Sequence, residues 1–363
     1  MEVNKMTQPV RFGIVGMGWR AEAYLRVAGQ LPHLFEIVGI AVRDPAKYKD
    51  AAAKWGIRLY STPEELAKHC DFVLTAVSKA SAPAVLQQLA SLGVPVLAET
   101  PPAADEEGFK RIAELAEAGA PIQVAEQYPL QPHHAARAAV IRSGRIGDVR
   151  HVQVSAAHGY HGISLIRHYL SEKAGAECEI AARRFELPIL EVPYRGRAVQ
   201  DKLETELQDI AILSFSNGKS ALLDFTRSQY FSPLRQNRLL IRGSHGEIRD
   251  NEVTSSISGS GGPGGYETWS IRRLQDGQEG SLAPLSLREL RGGAERLYRN
   301  PYYPAPFSDD EIAMAETLSR MADYAKQDTR FYSLQEALMD IRLSMAIDRA
   351  AATGQSVRVS PAL

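Results

Sequence analysis

The stretch GIVGMGWRAEAY, residues 13–24, decides how the N-terminal part of the chain folds. Gly16, Gly18 and Ala21 stand in the order G-x-G-x-x-A, directly after the apolar run RFGIVG (11–16) and at the opening of a helical pattern. Gly16 lets a strand turn sharply into a helix. Gly18 lets backbone approach a pyrophosphate, and a permissive backbone angle is expected there. Ala21 lets helix and strand pack closely, while the helix N-terminus supplies N–H donors and positive potential. Glycines also close ordinary tight turns, so the pattern gains its meaning from standing at a first strand–helix junction.

Working outward, four more strand-like runs follow: FEIVGIAV (35–42), FVLTAV (72–77), VPVLAE (94–99) and PIQVAE (121–126). They are nearly continuously apolar, as strands buried on both faces of a parallel sheet must be. Helical segments lie between them. Asp44-Pro45 offers an N-cap with proline at the first helical position, and Thr62, Pro63 and Glu65 make a capping-box arrangement. Repeated strand–helix units with short connections predict a right-handed, doubly wound parallel sheet, a Rossmann-type α/β domain. At the end of the second strand, Val42 stands where an acid would accept hydrogen bonds from the ribose of NAD. Arg43 follows it and is a candidate for a 2′-phosphate, with Arg20 a second phosphate contact. NADP is therefore favoured over NAD.

After SGRIGDV (143–149) the pattern changes. VRHVQVSAAH (149–158) alternates like a half-buried strand, and residues 206–228 read as a hairpin turning at Asn217-Gly218. RLLIRGSHGEIRD (238–250) reads as a second hairpin, turning between Gly243 and Gly246. The Gly/Ser-rich stretch 256–267 reads as a mobile loop, residues 309–352 as a helical C-terminus, and VRVS (357–360) as an edge strand. The expected architecture is a dinucleotide-binding domain over 1–130 and an α+β domain with an open, largely antiparallel sheet over 131–363. The final helix is expected to pack back on the first domain.

The chain's 363 residues suit about two domains. Its 42 Lys+Arg against 43 Asp+Glu, interspersed along the sequence, argue against a nucleic-acid footprint or a polybasic membrane surface. The longest apolar runs fall far short of the roughly 20 residues a spanning helix needs, and MEVNKMTQPV lacks a signal-peptide core. Cys70 and Cys178 make no disulfide framework. The expectation is a soluble, cytoplasmic protein acting on a small molecule, with no nucleic-acid or membrane partner.

With the glycine loop, FVLTAVSKASAPAVLQQLASLGVPVLAETPPA (72–103) resembles the Gfo/Idh/MocA oxidoreductases, the family of glucose–fructose oxidoreductase and inositol dehydrogenase. SGRIGDVRHVQV (143–154) is similar to the family's link into its second domain, and HGISLIRHYL (161–170) to the helix carrying its catalytic histidine. IRGSHGEI (241–248) and TGQSVRV (353–359) also fit, so the resemblance runs along essentially the whole chain. It implies NAD(P)-dependent oxidation or reduction of a carbohydrate, cyclitol or related polyol. It also implies a homodimer or homotetramer assembled through the open sheet, which makes physical sense for an apolar face without a helical cover.

By the resemblance, Gly16, Met17, Gly18, Trp19, Arg20, Arg43, Val77, Lys79 and Glu99 line the cofactor. Glu126-Gln127-Tyr128 follows the fifth strand-like run, and Gln127 and Tyr128, with Thr100, are candidates to hold substrate. The family's Glu-Lys-Pro is here Glu99-Thr100-Pro101, and threonine neither carries a positive charge nor acts as a base near neutral pH. The two carboxylates that flank the family's histidine are replaced by Ala157 and Ser164. His161 keeps the histidine position and suits proton transfer, with His158 and Tyr160 as alternatives. His168 reads as a packing residue. His158-x-x-His161 has ligand-like spacing, but no nearby acid or cysteine completes a set, so no metal is expected. The altered positions keep two other readings open: a glycoside-cleaving enzyme that uses a tightly bound nicotinamide transiently, and a cofactor-binding protein without catalysis.

Overall fold

The structure, a computed structural model, describes residues 8–172, 177–192, 200–232, 234–257, 264–278 and 281–360. Contacts divide the chain into two compact units. The first comprises Met1–Pro132 with Gln275–Arg288 and Asn300–Leu338; the second comprises His133–Leu274, Glu289–Arg299 and Met339–Leu363. The chain thus enters each unit more than once.

The first unit begins with β1 (Val10–Val15), α1 (Trp19–Gln30), β2 (Phe35–Ala41), α2 (Lys49–Trp55), β3 (Leu59–Tyr60) and α3 (Pro63–Ala67). It continues with β4 (Phe72–Thr75), α4 (Ala82–Ser91), β5 (Val96–Ala98), α5 (Glu106–Glu117) and β6 (Ile122–Val124). All six strands pair in parallel in the order β3-β2-β1-β4-β5-β6, so the order reverses beside β1. The five apolar runs become β1, β2, β4, β5 and β6. The short β3 went unread because two residues carry no periodicity. Phe12 and Phe72 are fully buried and stacked, ring centroids 5.3 Å apart. Truncating either to alanine should cost about 3–5 kcal/mol. Asp44 accepts from the Ala46 N–H at 3.1 Å and opens a 3-10 turn that runs into α2, and Thr62 accepts from the Glu65 N–H at 3.3 Å.

The second unit carries α6 (Pro132–Arg142), β7 (Val149–Ser155), α7 (Gly159–Leu170), β8 (Cys178–Leu190), β9 (Leu203–Phe215) and β10 (Ser220–Thr226). Further strands are β11 (Arg238–Gly243), β12 (Gly246–Arg249), β13 (Glu252–Ser256), β14 (Tyr266–Gln278), β15 (Ser281–Gly292) and β16 (Glu295–Arg299). Helices α8 (Asp309–Gln327) and α9 (Leu334–Thr353) and strand β17 (Val357–Val359) complete the chain. The sheet runs β16-β15-β14-β13-β12-β11-β7-β10-β9-β8-β17. Its described pairings are antiparallel except that β7 and β10 run in parallel. Both hairpins form as read, with Gly218 at φ +80° and Gly243 opposite Gly246. VRVS supplies β17 at the edge, against β8. Residues 258–263 of the Gly/Ser-rich stretch lie outside the described residues.

The helical C-terminus consists of two helices. Asp328 closes α8 in a left-handed conformation (φ +53°), and the chain re-enters helix at Leu334. Ser308 and Glu311 cap the start of α8 reciprocally. α8 packs against α1 in the first unit, where Gln335 at the start of α9 also donates to the Ala116 carbonyl of α5 at 3.1 Å; the rest of α9 lies in the second. There Arg167 of α7 donates to Asp340 of α9 at 2.7 Å, both side chains buried.

Candidate cofactor and substrate sites

Gly16 follows β1 with φ +104°, and a Cβ there would stand 2.5 Å from the Ala76 carbonyl oxygen. The fold itself therefore demands this glycine. Gly18 is different. Its φ of −102° and ψ of −179° are extended backbone that any residue adopts, so the expected permissive angle is absent. A Cβ on Gly18 would meet nothing within 4 Å, and as N-cap of α1 it offers no side-chain cap. Among the described residues, no atom needs Gly18 to lack a side chain. An exposed helix N-terminus with an open approach to its backbone fits a pyrophosphate. Ala21 is fully buried, as close helix–strand packing requires. Met17 is half-buried and Trp19 exposed beside this opening.

Arg20 turns inward. Its guanidinium is buried and meets Glu99 at 3.1 Å and Asp310 at 3.3 Å, and donates to the Gln127 side-chain oxygen. Gln127 in turn donates to Asp310 at 2.9 Å. Tyr24, one turn along α1, donates to the other oxygen of Glu99 at 3.3 Å, and the Thr100 hydroxyl donates to Glu99 at the same distance. Burial opposes the charge on Arg20, but Glu99 and Asp310 outweigh it and hold the guanidinium charged. Burial, then Glu99, pushes the Tyr24 hydroxyl well above the usual phenol range. Glu126 is also buried here; it accepts from the Tyr128 N–H at 3.1 Å, and burial raises its carboxyl well above the usual carboxylate range. Arg20 is thus committed to an internal network rather than presented to a phosphate. Gln127, expected on substrate, braces that network. Asp310 and Tyr24 were missed by sequence reading: DDE at the start of α8 looks like ordinary helix-terminal acid, and its partner lies 290 positions away.

In the second unit, α7 opens with His158 as N-cap, followed by Tyr160 and His161 in its first turn. The imidazole of His161 is buried, with ring centroids 4.9 Å from His158 and 5.3 Å from Tyr160. The Tyr230 hydroxyl accepts from the His158 N–H at 3.0 Å, which pins the start of the helix. Gly159 and Gly162 let Ser344 and Leu223 pack against α7: added Cβ atoms would stand 2.4 Å and 2.5 Å from them. All three sequence candidates therefore gather at one helix start. Tyr230 joins them, unpredicted because its contact arises only through the β10 strand. His168 is exposed rather than packed. Among the described residues, no group of three His, Cys, Asp or Glu is placed to hold a metal.

Residues 10–125 match the oxidoreductase family GFO_IDH_MocA, described by its NAD-binding Rossmann fold. This is a Gfo/Idh/MocA-family Rossmann domain. A search of proteins of curated function finds no match. Solved structures extend the likeness of fold along the chain. An oxidoreductase from Agrobacterium radiobacter, solved with NAD+, L-tartaric acid and magnesium, has a TM-score of 0.69 at 18% identity, covering 96% of this chain and 98% of that one. A levoglucosan dehydrogenase, solved with NADH and levoglucosan, gives 0.68 at 18% identity, covering 97% and 100%. A myo-inositol dehydrogenase from Corynebacterium glutamicum gives 0.64 at 16% identity, covering 98% and 100%.

The remaining positions of the Gfo/Idh/MocA pattern divide by exposure. Val42 is buried, and Arg43 stands exposed just past β2. Val77 is half-buried and Lys79 exposed in the segment after β4. Thr100 and Tyr128 are half-buried, after β5 and β6 respectively. Gly16, Glu99 and Glu126 follow β1, β5 and β6 on the same carboxyl edge of the parallel sheet, the edge at which such sheets bind ligands.

Proposed function

We propose that this protein is an NAD(P)-dependent oxidoreductase acting on a carbohydrate, cyclitol or related polyol. The observation that carries the reading is Gly18, side-chain-free at an uncapped helix start although no neighbouring atom requires it, in a chain of an NAD-binding oxidoreductase family. Similarity to structures solved with levoglucosan and named for myo-inositol supports the substrate class. Backbone at Gly16, Met17 and Gly18 and the α1 N-terminus hold the pyrophosphate. Exposed Arg43 takes a 2′-phosphate, which favours NADP. The bound nicotinamide supplies hydride transfer.

Oxidation of a secondary alcohol needs a group that takes the hydroxyl proton. His161 is that group, and the more exposed His158 ring beside it offers the proton a route to water. Tyr160 is the next candidate. Thr100 does not replace the charge of the family's lysine; Tyr128 and Thr100 hydrogen-bond substrate hydroxyls instead. Assembly uses the sheet of the second unit. Arg184 and Asp209 sit opposite each other and meet Asp348 of α9 at 2.8 Å through Arg184, so that face lies under helix. Phe185 and Ile212, on the other face by register, are 47% and 54% exposed and suit a second copy of the chain.

The test is purified protein with NAD+ or NADP+ and a panel of sugars and polyols, read by the near-ultraviolet absorbance of reduced nicotinamide. Net reduction with at least one polyol is expected. Cleavage of a glycoside without net reduction would replace this reading with transient-redox chemistry, and bound cofactor with no turnover on any substrate would refute catalysis.

A further inference from the structure

Arg20 is the second residue of α1, and its side chain reaches three other parts of the first unit. Its Nε stands 3.1 Å from Glu99, just past β5, and its Nη1 stands 3.3 Å from Asp310 in the first turn of α8. Its Nη2 donates to Gln127, past β6. Gln127 closes the ring by donating to Asp310 at 2.9 Å. Each guanidinium nitrogen faces a different segment, so the planar fork is fixed in rotation as well as in place.

The backbone of the same residue belongs to the opening that fits a pyrophosphate. The first turn of a helix carries N–H groups that have no partner within the helix, and Arg20 lies in that turn. Gly18, the N-cap, gives the turn no side-chain hydrogen bond, and nothing stands within 4 Å of the place its Cβ would take. A helix end left uncapped and open on one side frays, so its attitude depends on what holds it from the other side. The Arg20 clamp supplies that hold.

Two of the clamp's partners, Glu99 and Gln127, follow strands of the parallel sheet, whereas Asp310 comes from a separate helix. A second ion pair, Arg26 with Glu311 at 3.6 Å, joins the same two helices further along α1 and outside the clamp. Ser308 and Glu311 cap α8 independently of Asp310. Removing the Asp310 carboxylate therefore loosens Arg20 while α8 stays capped and tied to α1. We propose that Asp310 is a positioning residue for the dinucleotide: through Arg20 it holds the first turn of α1 in the attitude in which its backbone N–H groups receive the pyrophosphate. This inference rests on the dinucleotide-binding reading above. Coupling of this kind is reciprocal, so a bound pyrophosphate must in turn strengthen the hold on Asp310.

The probes for the test are NAD+, NADP+ and ADP, which carry a pyrophosphate, and adenosine, which carries none. Affinities for the full-length protein are measured by calorimetry, and by ligand-observed NMR for adenosine. Asp310→Ala should weaken binding of the three pyrophosphate ligands by about tenfold, the scale of one charge-assisted contact felt partly through the backbone, and leave adenosine binding unchanged. Arg26→Met breaks the other pair between the helices and should leave all four affinities unchanged. Deuterium exchange over the first turns of α8 should slow when ADP is added to the wild type, an outcome that needs no variant, and should not slow when ADP saturates Asp310→Ala. Wild-type affinities in Asp310→Ala, an equal loss with adenosine, or the same loss in Arg26→Met overturns the proposal. So does α8 exchange that ignores ADP in the wild type, or protection that persists without the carboxylate. Failure of the wild type to bind any of the three pyrophosphate ligands would instead overturn the dinucleotide reading beneath it.

Discussion

Gly16 and Gly18 stand two residues apart in one loop, yet alanine should act on them through different physics. At Gly18 the backbone is extended and the space beyond the α-carbon is open within 4 Å. Alanine is a poorer N-cap than glycine by up to about 1 kcal/mol, and restricting the unfolded chain returns about 0.4–1 kcal/mol. Fold stability of Gly18→Ala should therefore change by less than about 1 kcal/mol. Its new methyl group occupies the approach to the α1 N-terminus, and loss of one charge-assisted hydrogen bond costs about 1.5–3 kcal/mol. NAD+ affinity should fall by about 10- to 150-fold, more for Gly18→Val. At Gly16, a positive φ costs alanine about 1–3 kcal/mol, to which contact with the Ala76 carbonyl adds. The Gly16→Ala melting temperature should drop by roughly 2–4 °C for each kcal/mol lost. Urea denaturation and calorimetric titration with NAD+ on both variants separate the two effects. A Gly18→Ala protein that binds NAD+ with wild-type affinity, or that unfolds as readily as Gly16→Ala, would refute the assignment of this loop.

Arg20→Met leaves the half-buried Glu99 without its guanidinium and should destabilise the first unit by about 3 kcal/mol, near the low end for a broken buried pair because Glu99 and Asp310 are both partly solvated. Urea midpoints of Arg20→Met and Arg20→Lys check this; lysine should recover only part of the loss, because it lacks the planar fork. His161→Asn should lower the catalytic rate by about 10²–10⁴-fold, leave cofactor affinity unchanged, and remove the limb of the pH–rate profile near the histidine range. A fast variant would shift the role to His158 or Tyr160. In the second unit, His134 is buried, 2.5 Å from the Tyr169 hydroxyl, and burial followed by His133, Arg137 and His168 pushes its imidazole well below the usual range. The unfolded chain then binds a proton that the folded chain refuses, so stability is full above about pH 6.5 and declines as pH falls from there towards the folded value. Urea denaturation at descending pH should show this decline in the wild type and a shallower one in His134→Gln.

The sequence by itself determined the Rossmann half. Its strands are short, continuous apolar runs, its turn is marked by Gly16, and its helix starts are marked by Asp44 and Thr62, all local signals carried by adjacent residues. The hairpins at Gly218 and Gly243 were legible for the same reason. The grouping of His158, Tyr160 and His161 could be read from one helix start. Tertiary structure alone decided what Arg20, Gln127 and Glu126 do. An arginine two residues past the second glycine of G-x-G-x-x-A looks like a phosphate ligand until a helix almost 300 residues later brings Asp310 to it, and Glu99 arrives from the end of β5. Charge and burial are properties of the space around a side chain, and no local pattern encodes which distant segments will fill that space. Gly18 shows the converse: its motif was plain in the sequence, but only the geometry revealed that the chain itself has no need of it.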